Sequence, residues 1–277
     1  MKFSLAPIKN KITNFAEIVQ KNLYFYIAGF ILLYLLKYHY SIATAQQLNW
    51  ILFPTSWLVT LLTGVNFKND PDFGIVNHEH KLIIAASCAG VNFLIICFAC
   101  FMYGLIHNYK NLKKKLFWFV FCAVSAFLFT IFTNTIRIIM SIYFFDNKGL
   151  YENWITPELF HQFEGIFIYF FFLVISYQIM NYLTMYLRDK NLKLNLNIFK
   201  DNNLSFKIII PFLFYILVTL VAPVINHGIG HIDFFFIIHA IGVFFICSLM
   251  IIFFIVMQYS VKGYVKISRY FKGQQQR

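Results

Sequence analysis

The sequence predicts an all-α polytopic integral membrane protein. Three observations carry that prediction: 60% of the 277 residues are hydrophobic, only 12% are charged, and the apolar residues gather into runs long enough to cross a bilayer. A soluble domain is near half apolar and a quarter charged, so this excess cannot be hidden in one water-soluble core. The net charge of +12 argues for no nucleic-acid partner, because the lysines sit between apolar runs rather than on a soluble face. In a membrane protein such an excess reports topology, and the surrounding partner is lipid.

The apolar runs fall near 23–40, 48–65, 82–106, 116–145, 158–183, 206–225 and 232–258. A spanning helix takes about 20 apolar residues, which gives about six to eight transmembrane helices. The run at 116–145 is long for one span, so its end should protrude or bend after "FTNT". The run at 48–65 is the weakest, interrupted by Pro54, Ser56, Thr60 and Thr63. Basic residues cluster before Asn22, in "KNLKKK" (Lys110 to Lys115), in 184–207 and in the tail, and acids collect in 66–81, 146–158 and 226–233. The basic segments belong to the cytoplasm. They alternate cleanly with the acidic ones if 48–65 is re-entrant or interfacial, which leaves six spans and both termini cytoplasmic. The N-terminal segment reads as polar and amphipathic, ahead of a retained span rather than a cleaved signal.

One membrane domain is expected over 1–277. An N-terminal span and the re-entrant segment fill 1–65, a core carrying the chemistry fills 66–185, and a cytoplasmic loop with two last spans fills 186–277. Within 66–81, "NDPD" supplies turn residues between extended stretches, so a short extracytoplasmic β-hairpin should precede the helix that begins in "KLIIAASCAGVNFL".

All five cysteines lie in apolar runs. Cys97 and Cys100 have the spacing of redox and metal motifs, but cysteine in such surroundings is a small packing residue. Cys88 differs in its company. Ser87, Gly90 and Asn92 surround it, about two turns into its run, and lipid-facing helices do not need them. With the topology above, Cys88, Arg137 and His161 share the outer level of three successive spans. Singly, each has a plain reading: packing for Cys88, snorkelling for Arg137, an interfacial position for His161. Together they form a coherent catalytic set. A thiolate is a strong nucleophile and a neighbouring cation favours it. Arg is permanently charged and can hold a developing oxyanion, and His can protonate a leaving amine. Gly90 permits close backbone approach beside the thiol. Glu158 and Glu164, three residues either side of His161, can share its helical face and orient the ring.

In order, Cys88 in "SCAGVNFL", Arg137 in "NTIRI" and His161 in "FHQFEGIFIYF" resemble the exosortase/archaeosortase family, over roughly 60–185. Many relatives carry Cys-Ser-Gly where this chain has Cys88-Ala89-Gly90, and the short chain suits a compact bacterial exosortase of the K type. The resemblance implies a multi-pass enzyme of the bacterial inner membrane. Its site would lie on the extracytoplasmic side, with Cys88 as nucleophile, Arg137 as oxyanion stabiliser and His161 as acid and base. It further implies cleavage of the C-terminal sorting signal of membrane-tethered exported proteins, by transpeptidation or proteolysis. The partners are then the substrate's sorting-signal helix and an acceptor amine on lipid or glycan, with no metal and no organic cofactor. Two other readings stay open: a noncatalytic membrane scaffold, and a metal- or haem-handling transporter using the pairs His78/His80 or His227/His231.

Overall fold

The computed structural model describes residues 6–70, 74–77, 82–147, 149, 154–188, 204–227 and 234–274. The helices in chain order are α1 (Ala6–Ile42), α2 (Asn49–Thr63), α3 (Val91–Leu105), α4 (Leu112–Asp146), α5 (Pro157–Arg188), α6 (Leu204–Ile216), α7 (Ala222–His227) and α8 (Phe234–Gln274). Among the described residues, six helical stretches are long and apolar enough to cross a membrane: 16–42, 86–108, 112–145, 157–187, 207–225 and 234–260. They coincide with six of the seven apolar runs.

The remaining run is α2. Its 15 residues reach only about 22 Å at 1.5 Å per residue, short of the roughly 30 Å hydrocarbon core. Both flanks of α2 touch the segment 74–77. Ala45 abuts Gly74, where a Cβ would lie 3.0 Å from that of Ala45, and the Asn66 carbonyl accepts from Asn77 Nδ2 at 2.6 Å. Both flanks thus lie along the strand 74–77, and the helix itself packs on α4.

α3 is the axis of the bundle. Apart from Asn92 at its start it is almost wholly apolar and buried almost throughout, as a helix without a continuous polar face must be. α4, α5, α1 and α6 pack around it. The outer surfaces of α1, α4 and α8 present Phe30, Ile31, Leu128, Phe245 and Ile252 outward. An apolar surface of that extent fits lipid, not water. α4 runs unbroken through "FTNT" for 35 residues, about 52 Å, so its end protrudes rather than bends.

The bundle has two unlike ends. At one end, Lys115 Nζ donates to the Lys21 carbonyl at 2.9 Å, tying α1 to α4 beside Lys110, Lys113 and Lys114. At the other lies a three-stranded antiparallel sheet of β1 (Lys68–Asp70), β2 (Gly74–Asn77) and β3 (Leu82–Ile84) in that order, with Ile75 opposite Ile84. The expected hairpin therefore has a third strand. The β-branched Ile83 and Ile84 pair with β2 instead of starting the helix.

Two turns complete the frame. Residues Ala86–Cys88 form a 3₁₀ turn, and α3 starts only after Gly90. Cys88 therefore stands just ahead of its helix, not two turns within it. Between α6 and α7 the helix opens into a π turn (Leu217–Val221). Pro223, in the next turn, lacks the N–H that would bond the Thr219 carbonyl, a cause of such openings.

Candidate active site

Gly90 fixes where Cys88 sits. Its φ of +73° is a left-handed conformation that turns the chain from the 3₁₀ turn into α3. A Cβ there would lie 3.2 Å from Thr130 Cγ2 and 3.3 Å from Asn134 Cγ, so α4 approaches against bare backbone. Asn134, fully buried, uses that approach: its Nδ2 donates to the Cys88 carbonyl at 2.6 Å. Its Oδ1 accepts from the Tyr169 hydroxyl at 2.9 Å, which carries the link on to α5.

Arg137 lies three residues after Asn134, on the same face of α4. Its Nη1 donates to Tyr169 Oη at 3.2 Å, and the guanidinium lies 5.3 Å from the centre of the Tyr169 ring. Gly165 clears room for it, since a Cβ there would come 3.2 Å from Arg137 Nε. Arg137 Nη2 lies 2.7 Å from His161 Nε2. Arg has donors only, so Nε2 is the acceptor and the neutral imidazole carries its proton on Nδ1. That proton faces Ser141 Oγ at 3.1 Å, and Ser141 donates to Glu164 Oε2 at 2.9 Å. The bonds run in one direction, from Arg137 through His161 and Ser141 to Glu164. The carboxylate also stands 3.4 Å from Nδ1, so it takes the role weighed for both acids, while Glu158 is exposed.

Cys88 opens onto the same space as His161 and Arg137. All three face one cavity of about 220 Å³, walled by Phe67, Ile83, Ile84, Ile138 and Phe160. The three residues separated in sequence therefore meet, beside the sheet and away from the lysine-rich end. The other four cysteines are fully buried and free. Among the described residues no cluster of His, Cys, Asp and Glu could hold a metal. His78, His80 and His231 lie outside the described residues, as does the side chain of His227. His239 is engaged by Gln162 at 2.9 Å.

Sequence reasoning missed Asn134, Ser141 and Tyr169. A signal was present: Asn134, Arg137 and Ser141 recur at helical spacing in an apolar run, as His161, Gly165 and Tyr169 do on α5. Asn92 accepts from Lys37 Nζ at 2.8 Å and joins α1 to α3.

Residues 62–177 match the family model described as Transmembrane exosortase (Exosortase_EpsH), a segment that contains Cys88, Arg137 and His161. No curated protein and no solved structure matched the chain.

Proposed function

We propose that this chain, which over residues 62–177 is a member of the transmembrane exosortase family, is a membrane-embedded cysteine transpeptidase or protease. Its substrate would be an exported protein held in the membrane by a C-terminal sorting-signal helix. The observation that carries the reading is the meeting of Cys88, His161 and Arg137 around one cavity at the end of the bundle. That end is opposite the lysine-rich one, so by the positive-inside rule it faces away from the cytoplasm of the bacterial inner membrane. The same rule keeps both termini inside.

The substrate helix lies beside the bundle and its scissile peptide enters the apolar cavity. The Cys88 thiol gives its proton to His161 Nε2, and Sγ attacks the carbonyl carbon. Once Nε2 carries a proton it can no longer accept from Arg137. Nη2 is released at the moment negative charge forms on the carbonyl oxygen, and the guanidinium turns to that oxyanion. Glu164 and Ser141 balance the imidazolium from its Nδ1 side. The oxyanion collapses, the C–N bond breaks, and Nε2 protonates the departing amine, which leaves on the membrane-held tail. Cys88 keeps the acyl group as a thioester. An acceptor amine, or water, then attacks the thioester carbon and passes its proton to His161, which restores the thiol.

The reading is tested in the source cell by exchanging the gene for its Cys88→Ala form. Proteins ending in an apolar span and a basic tail should then accumulate with the tail attached, while the variant inserts normally. Processing at the wild-type rate would remove Cys88 from the mechanism.

A further inference from the structure

Behind the Arg137–His161 pair lies a second cavity of about 260 Å³. Arg137 and His161 line both cavities and so form their common wall. The two differ in charge. The Cys88 cavity is mainly apolar and includes the Glu164 carboxylate, whereas the second is lined by Lys37 and Arg137 with no acidic residue.

Lys37 is the unexplained group. It stands on the membrane-spanning part of α1, at the level of Asn92 and far from the lysine-rich end. Its ammonium is held by the Asn92 amide oxygen at 2.8 Å and lies 5.5 Å from the centre of the Tyr40 ring, both neutral partners. Among the described residues no carboxylate is within ion-pair distance of it. A cation in a spanning helix is costly, and it usually has a counter-charge or a functional ligand. A snorkelling lysine reaches away from the bundle; this one bridges α1 to α3 across the cavity lining.

The neighbouring groups present donors. Asn92 spends its oxygen on Lys37, leaving its NH₂. Gln162 Nε2 donates a hydrogen bond to His239 Nδ1, which leaves Nε2–H as the donor of the neutral His239 ring. Ser87 adds a hydroxyl next to the nucleophile, and Thr219 of the π turn lies in the same lining. Two cations with several donors and no acid suit an anion bearing several acceptor oxygens.

We propose that this second cavity is the acceptor subsite and that it takes a phosphate ester carrying a primary amine. The proposal rests on the transferase reading above and names its acceptor. The phosphate lies against Lys37 and Asn92, and the amine reaches the common wall. There the nitrogen bonds to the thioester carbon, the C–S bond breaks with its electron pair on Cys88 Sγ, and the amine proton passes to His161. The phosphate can come from a lipid headgroup or from a soluble ester.

The test is binding, by native mass spectrometry of the full chain in dodecyl maltoside, where detergent alone supplies no phosphate. One arm adds phosphatidylethanolamine, the other glycerophosphoethanolamine. The wild type should retain one molecule in at least one arm, and the arm names the source. Lys37→Met should weaken that binding at least tenfold, and Lys37→Arg should restore it. The restoring variant separates charge from folding, and tryptophan-fluorescence melting checks both. Equal binding in the wild type and Lys37→Met, or no one-to-one binding in either arm, overturns the proposal. Failure of the catalytic reading shows elsewhere, as normal processing by Cys88→Ala.

Discussion

Replacing Glu164 by Gln removes the carboxylate that ends the hydrogen-bond chain and keeps the side chain's shape. In the resting enzyme little should change, because the neutral imidazole donates to Ser141 whether an acid or an amide lies beyond it. The loss appears when His161 takes the thiol proton. The imidazolium then faces Glu164 with Nδ1 and Oε2 3.4 Å apart, where opposite unit charges are worth about 5 kcal/mol at an effective dielectric near 20. The His161 side chain is 45% exposed, so solvent screening at least halves that attraction. What remains is about 2 kcal/mol, a loss of roughly thirtyfold in the population of the thiolate–imidazolium pair. The assay is the rate of iodoacetamide alkylation at Cys88, followed by peptide mass spectrometry. The other four cysteines are fully buried, so Cys88 is the thiol the reagent reaches first. Glu164→Gln should alkylate about thirtyfold more slowly than wild type at neutral pH. The gap should close at alkaline pH, where hydroxide ionises the thiol without help. Equal rates at neutral pH, or a gap that persists at high pH, would refute the argument, the second because it marks lost access rather than lost charge.

Arg137→Lys keeps a cation but not the planar fork that reaches Tyr169 and His161 together, so processing of tailed proteins should fall by about 10²–10³ while Cys88 remains alkylatable, as immunoblots of tail length will show. Asn134→Ala leaves the Cys88 carbonyl and the Tyr169 hydroxyl without their partner, at a cost of about 1–3 kcal/mol, visible as a lower melting temperature. Gly90→Ala forces a Cβ into a left-handed residue at about 1–2 kcal/mol and pushes on Asn134, so both melting temperature and Cys88 alkylation should drop. Cys97→Ala removes a fully buried thiol remote from the cavity and should leave processing unchanged.

The spans were legible because crossing a bilayer demands about 20 apolar residues, and that demand is written in composition. The same arithmetic singled out α2, whose run is broken by Pro54 and hydroxyl residues and whose helix has only 15 residues. Charge placed Cys88, Arg137 and His161 at one level, and the structure brings them together. The register of Cys88 was not legible. Ile83 and Ile84 continue the apolar run, and only their pairing with Ile75 and Val76 makes them a strand that stops the helix from starting early. Asn134, Ser141 and Tyr169 were hidden for a different reason. Their polar atoms are satisfied by partners 20 to 46 positions away, and a single chain does not announce such pairs. Lys37 sits within the apolar run 23–40, and only the packing of α1 on α3 sets Asn92 against it.

The central claim is that Cys88 forms an acyl-enzyme, and that species can be looked for. Membranes from cells producing the wild-type chain and its His161→Gln form would be digested and searched for a peptide adduct on the segment holding Cys88, with and without neutral hydroxylamine. In the wild type the account predicts a thioester on Cys88 that hydroxylamine releases. In His161→Gln, where thiol ionisation and leaving-group protonation both lose their agent, the adduct should be far scarcer. An adduct of equal abundance in both, or a hydroxylamine-sensitive acyl group on another residue while Cys88 stays free, would contradict it.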